Sequence, residues 1–117
     1  MIALAVASSL ICVSPTVHDG DSIRCGRERV RLLNIDAPEL KGSPRCERRR
    51  HGPNPSWCNY ALGLRSRDAL SAFLAMGEVR ITRQGVDRYG RTLARVTVNG
   101  RDAGDYLVSR GLARRWR

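Results

Sequence analysis

Val17-His18-Asp19-Gly20-Asp21-Ser22-Ile23-Arg24-Cys25, followed by Val30-Arg31-Leu32-Leu33-Asn34-Ile35-Asp36-Ala37-Pro38-Glu39, is the stretch on which the fold turns. Ser9–Val17 reads as a strand and Ser22–Cys25 as its hairpin partner. His18-Asp19-Gly20-Asp21 forms the turn between them, with Asp and Gly supplying the conformations that tight turns need. Cys12 and Cys25 lie symmetrically about this turn. They are expected to face each other across the antiparallel pair, at a separation that suits a disulfide. Gly26–Arg29 is a second turn and Val30–Ile35 a third, strongly apolar strand. Pro38 ends it, because proline cannot donate to a ladder.

Working outward, Lys41–Asn59 reads as a loop, holding Pro44, Gly52, Pro53, Pro55 and the basic run Arg48-Arg49-Arg50. Cys46 and Cys58 near its ends suggest a second disulfide. Tyr60–Met76 has the period of a helix, with Leu62, Ala69, Leu70, Phe73 and Leu74 on one face and Gly77 as its stop. Val79–Arg83 is a strand and Val86–Gly90 a turn. Arg91–Val98 alternates, with Ala94, Val96 and Val98 on one side, and Asn99-Gly100 is a hairpin signal. Asp102–Arg110 is a short helix ending at Gly111, and Leu112–Trp116 an edge strand. Three strands, a helix, two strands and a helix suit a small α+β barrel. The expectation is an OB-fold, a five-stranded Greek-key barrel with about two helices. A single domain is expected over residues 9–117.

Residues 1–8 are apolar, and Ala5-Val6-Ala7 before Ser8 resembles a signal-peptidase site. They read as a signal-peptide remnant or an extension of the first strand. The four cysteines are not spaced as a zinc site, so disulfides and an oxidising compartment are expected. That points to a secreted or periplasmic protein. No stretch is long and apolar enough to span a membrane.

The charge is unusual. Lys+Arg number 21 against 11 Asp+Glu, a formal net charge of +10. Such a surplus on a small domain implies a polyanionic partner, nucleic acid before anionic membrane. Lys41 is the only lysine. Arg grips phosphate bidentately where Lys is a point charge, although a GC-rich genome would also encode Arg by default.

Against this background the few acidic residues are informative. Asp19, Asp21, Asp36 and Glu39 sit at two strand ends that the first hairpin brings together. Asp21 and Asp36 offer hard oxygens to Ca²⁺ or Mg²⁺. Asp19-Gly20 alone would be only a turn, but the whole set points to a site. Arg31 lies inside an apolar run, where a charge is costly without a partner. Arg91 closes the turn Asp87-Arg88-Tyr89-Gly90-Arg91.

These segments, with Leu107-Val108-Ser109-Arg110-Gly111-Leu112-Ala113, resemble the staphylococcal-nuclease-like (thermonuclease) family. The shared pattern is D-G-D-[ST], then R-L-x-x-[IV]-D-x-P-E, then Y-G-R, over most of the chain from about Val17 to Arg115. The resemblance implies a Ca²⁺-dependent nuclease, cleaving DNA and RNA with little sequence preference and leaving 3′-phosphates. It implies Asp21, Asp36 and the carbonyl of Ala37 as metal ligands, supported by Asp19. Glu39 would hold or deprotonate the attacking water. Arg31 and Arg91 would neutralise phosphate charge, and Arg88 and Tyr89 would border the nucleotide. Three departures stand out: Ala37 replaces a common Thr, the Cys46–Cys58 loop replaces a cysteine-free basic loop, and the third C-terminal helix of longer members is expected to be absent. DNA and RNA are the expected partners, with no membrane and a monomeric state.

Two other readings compete. A non-catalytic OB-fold module would hold single-stranded nucleic acid on exposed aromatics; aromatics make up only 5% here, and the acidic set is complete. A membrane-active protein would need a basic amphipathic helix, whereas the apolar face of Tyr60–Met76 reads as core.

Overall fold

The computed structural model describes residues 10–47 and 57–116. Residues 1–8, and the run Arg48-Arg49-Arg50 with Gly52, Pro53 and Pro55, lie outside the described residues. The first hairpin is formed by β1 (Pro15–Asp19) and β2 (Ser22–Cys25). The chain continues through β3 (Glu28–Leu32), β4 (Ile35–Asp36), α1 (Pro44–Glu47) and α2 (Tyr60–Leu74). It ends with β5 (Val79–Val86), β6 (Thr92–Val98), β7 (Arg101–Asp102), α3 (Ala103–Ser109) and β8 (Arg114–Arg115).

The main sheet runs β1-β2-β3-β6-β5. All its neighbours are antiparallel except β3 and β6, which pair in parallel through Val30–Thr92, Arg31–Leu93 and Leu32–Ala94. Such a pairing demands a crossover, and the segment carrying α2 and β5 supplies it. The residues before β1 close the sheet on itself. Ile11 bridges Arg80 of β5, the Cys12 amide donates to the Val79 carbonyl at 2.8 Å, and the Ile81 amide donates to the Leu10 carbonyl at 2.8 Å. The expected small α+β barrel of OB type is therefore present.

The first strand differs from expectation in an informative way. From Leu10 on, the expected strand Ser9–Val17 does not run straight. Ser14 takes a left-handed φ of 52°, and Pro15 opens β1. The kink lets one segment serve two neighbours, β5 before it and β2 after it. Cys12 and Cys25 are bonded, with Cα atoms 5.1 Å apart. Yet the residue opposite Cys25 in the hairpin is Pro15, not Cys12. The disulfide thus ties the closing segment to β2.

The third strand is also broken. Asn34 adopts φ 66°, a conformation Asn tolerates, and separates β3 from β4. Strand β4 leaves the barrel to pair with β8 through Ile35–Arg115 and Asp36–Arg114. The loop Lys41–Asn59 contains the short helix α1, with Pro44 at its first position, where a missing N–H costs nothing. Helices among the described residues thus number three rather than about two. Strand β5 runs three residues further than expected, to Val86, past an irregularity between Arg83 and Gly85.

Elsewhere local patterns hold. Ala94, Val96 and Val98 point inward as their alternation requires. Asn99 and Gly100 both have positive φ, as a tight two-residue hairpin turn demands. Asp102 caps α3, accepting from the Asp105 amide, and Asn59 caps α2, accepting from the Leu62 amide. Helix α2 ends two residues early, at Leu74, and buries Leu70, Phe73 and Leu74 against Val30, Ile35, Ile81, Val96 and Leu107 in one core.

Candidate active site

Helix α2 seats two acidic loops at Gly63 and Ser66. A Cβ at Gly20 would fall 2.0 Å from the Ser66 Oγ and 2.7 Å from the Ala37 Cβ. A Cβ at Gly63 would fall 2.5 Å from the Glu39 carbonyl oxygen. The Asp19–Asp21 turn and the Asp36–Glu39 segment are therefore pressed against the same helix, about one turn apart. This is how residues distant in sequence come to share a site.

Within the first loop, Asp19 Oδ1 accepts from the Ser22 hydroxyl at 2.7 Å and from the Asp21 amide at 3.3 Å, which fixes the turn. Asp21 is buried, and its Oδ2 accepts from the Ala37 amide at 2.9 Å. This bond ties the two loops together. Burial first, and the Asp19 carboxylate second, push the Asp21 carboxyl up from an ordinary 3.8 to about 7. Arg31 and the Ala37 amide oppose that shift.

Arg31 resolves the puzzle of a charge in an apolar strand. Its Nη1 donates to the carbonyls of Leu32 and Ile35, both at 2.9 Å, and its Nη2 lies 3.7 Å from Asp21 Oδ2. The guanidinium also spans the break between β3 and β4.

The third segment is organised by Asp87. Its Oδ1 accepts from the amides of Tyr89 and Arg91, both at 2.9 Å, and its Oδ2 accepts from Arg91 Nε at 2.8 Å. Arg88 donates to the Tyr89 hydroxyl at 2.9 Å and lies over its ring. Arg29 donates to the Tyr89 carbonyl.

Asp19, Asp21, Arg31, Glu39, Arg88, Tyr89 and Arg91 all line one open cleft of about 1140 Å³. Asp36 and Ala37 do not line it. The buried Asp36 carboxylate turns to Arg114, which donates through Nε at 3.0 Å and Nη2 at 2.8 Å. Among the described residues, no three His, Cys, Asp or Glu side chains converge as a metal cluster. The chemistry of the donors nevertheless suits a hard cation. Asp21 is buried and crowded by Asp19, and Arg31 only partly offsets that charge; a divalent ion would add to the offset.

Several residues that line the cleft or hold its lining were not picked out by sequence. Asp87, which holds Tyr89 and Arg91, could have been found, since an Asp opening a turn commonly binds the amides that follow. Arg29, Arg45 and Trp116 also line the cleft, but only the folded chain brings them there. Arg114 carried no local signal.

Comparison with known proteins fits this geometry. The family model for staphylococcal nuclease homologues matches residues 29–117. The match therefore includes Arg31, Asp36, Glu39 and Arg91 and begins after the Asp19–Asp21 turn. A Haemophilus influenzae protein described as an uncharacterized endonuclease is 32% identical over 107 residues, 87% of this chain and 50% of its own length. The succinoglycan biosynthesis protein ExoI of Rhizobium meliloti is 34% identical over 111 residues, 93% of this chain and 54% of its own. Protein ParB of Escherichia coli is 32% identical over 111 residues, 83% of this chain and 52% of its own. The chain spans about half the length of these curated relatives. Since the family model takes in well over half of the chain, the chain belongs to the staphylococcal nuclease homologue family.

Proposed function

We propose that this chain is a nuclease domain that hydrolyses phosphodiester bonds of DNA and RNA with little sequence preference, in a Ca²⁺-dependent reaction. The observation that carries this reading is the sharing of one cleft by carboxylates and arginines: Glu39 and Asp21 with Arg31 and Arg91. The family membership and the endonuclease description of one relative support it.

A phosphodiester is anionic and repels an attacking hydroxide. Two guanidinium groups offset that charge, and more strongly as it grows in the transition state. Arg91 is held for this by Asp87, and Arg31 by two carbonyls and Asp21. Glu39, half-buried at the cleft, holds the attacking water and takes its proton. Asp21, Asp36 and the Ala37 carbonyl would hold Ca²⁺, with Asp19 behind them. The ion would polarise the phosphate and make bound water easier to deprotonate. Arg88 and the exposed ring of Tyr89 border the nucleotide. The remaining arginines supply affinity that is independent of sequence.

A single-strand binding module is the second reading, and the exposed aromatics Tyr89 and Trp116 in the cleft favour it. A pure binder, however, gains nothing from carboxylates facing phosphate. Digestion of plasmid DNA and RNA with Ca²⁺, and again with chelator, separates the two. Cleavage that chelator abolishes is expected. Binding without cleavage under any divalent ion would favour the module. The two disulfides suit an oxidising compartment, and we place the protein outside the cell or in the periplasm, as a monomer. No helix among the described residues is long and apolar enough to cross a membrane.

A further inference from the structure

Glu39 is held twice by the disulfide-closed loop that follows it. Its Oε1 accepts from the Ser43 hydroxyl at 2.6 Å. Its amide donates to the Trp57 carbonyl at 2.8 Å. Both tethers arise beside the Cys46–Cys58 bond. Ser43 immediately precedes α1, and its carbonyl accepts from the amides of Cys46 and Glu47, each at 3.0 Å. Cys46 is buried and bonded to Cys58, with Cα atoms 5.7 Å apart. Trp57 precedes Cys58, and Asn59 after it caps α2. The staple therefore fixes both partners of Glu39 to the helix that seats the acidic loops.

We propose that Ser43 is a positioning residue for Glu39 and that the Cys46–Cys58 disulfide holds Ser43 in place for that task. This rests on the reading of Glu39 as the carboxylate that handles the attacking water. A glutamate at a cleft edge has several rotamers, of which few aim a carboxylate oxygen at the reacting phosphate. A hydroxyl donor at 2.6 Å makes a short, charge-assisted bond. It occupies one carboxylate oxygen and so orients the other. Ser43 supports α1 through its carbonyl, whereas its hydroxyl goes to Glu39. The hydroxyl can therefore be removed without withdrawing the backbone acceptor that α1 uses.

The test is a double-mutant cycle on the intact protein with Ca²⁺ and labelled single-stranded DNA. Ser43→Ala is expected to lower kcat by about tenfold, the lower end of what an outer partner of a site residue contributes. KM and DNA binding should change little, and Ser43→Thr, which keeps the hydroxyl, should restore most of the rate. In a Glu39→Gln background Ser43→Ala should cost nothing more, because the group it orients has lost its function. Replacing Cys46 and Cys58 together with Ser should slow cleavage to a similar degree. A Ser43→Ala rate equal to wild type, or an equal loss in both backgrounds, would overturn the proposal. An unchanged rate without the disulfide would overturn its second half. If Glu39→Gln itself cuts as fast as wild type, the role given to Glu39 fails instead, an outcome distinct from a slow Glu39→Gln beside a fast Ser43→Ala.

Discussion

The guanidinium of Arg114 sits on the carboxylate of Asp36, with Nη2 2.8 Å and Nε 3.0 Å from the same Oδ2. Asp36 is buried, whereas Arg114 is about half exposed and also lies over the Trp57 ring, 5.0 Å from its centroid. Strand pairing of β4 with β8 enforces this meeting, since Asp36 and Arg114 are register partners. A cation bound by Asp36 must compete with that arginine. Arg114→Gln is therefore expected to tighten Ca²⁺ binding, measured by calorimetry, by roughly two- to fivefold, the scale of a partly exposed ion pair. Weaker binding in the variant would show that Arg114 supports the ion's site rather than opposing it.

Gly63 is a helix-interior glycine, a place where alanine usually stabilises by about 1 kcal/mol. Here the sign should reverse. The added Cβ would lie 2.5 Å from the Glu39 carbonyl oxygen and 3.2 Å from that of Pro38, and backbone cannot give way as a side chain can. Gly63→Ala should destabilise by about 1–3 kcal/mol and slow cleavage by displacing Glu39. Denaturant melts and rates together check this. A stabilised variant would mean that α2 does not seat the loop so closely.

Glu28 braces the barrel where β3 runs parallel to β6. It accepts from Arg83 of β5 through both carboxylate oxygens, at 2.7 and 2.8 Å, and from the Thr92 hydroxyl at 2.8 Å. The Arg83 hydrogen bond, with that of Thr92 and the Arg83 charge, holds its carboxyl below the usual 4.5 despite partial burial. A carboxyl lowered in the folded state contributes stability that is present in full above its unfolded value. That stability is lost as pH falls through the folded one. Melting temperature should therefore drop on acidification below about 4.5, and Glu28→Gln should remove this part of the drop. An unaltered acid limb in the variant would assign it to other carboxylates.

The Cys12–Cys25 bond ties the closing segment to β2 across a 13-residue separation. Replacing both cysteines with Ser should cost about 2–4 kcal/mol in the chain-entropy picture. Thiol titration of unfolded, unreduced protein should find no free thiol. Four titratable thiols would contradict both disulfides and the oxidising compartment.

Much of this was legible locally. The Asp19-Gly20 turn, the Asn99-Gly100 hairpin, the period of α2 and the alternation of β6 each follow from a few neighbouring residues. What was not legible depends on distant partners. Ser14 and Pro15 permit a kink, but only the free edge of β5 makes it useful. Asn34 permits a break, but only β8 draws β4 out of the barrel. Cys12 and Cys25 were paired correctly for an incomplete reason: symmetry about the turn suggested opposed positions, whereas the kink places Pro15 there. For the site, the motifs picked out the cleft residues Asp21, Arg31, Glu39 and Arg91. The groups that hold them, Ser43, Asp87 and Arg114, lie at spacings that no short pattern marks.

If the cleft cuts phosphodiesters through Glu39 while its arginines bind nucleic acid regardless of sequence, cleavage and binding must separate on substitution of Glu39. The most direct measurement compares wild type with Glu39→Gln on one labelled single-stranded DNA in Ca²⁺, reading cleavage rate and binding side by side. Glu39→Gln is expected to lose about two orders of magnitude or more in rate, the scale of general-base catalysis. Affinity and its steep salt dependence should stay close to wild type. Wild-type protein that binds the DNA and never cuts it, or a Glu39→Gln variant that cuts at the wild-type rate, would contradict this reading of the cleft.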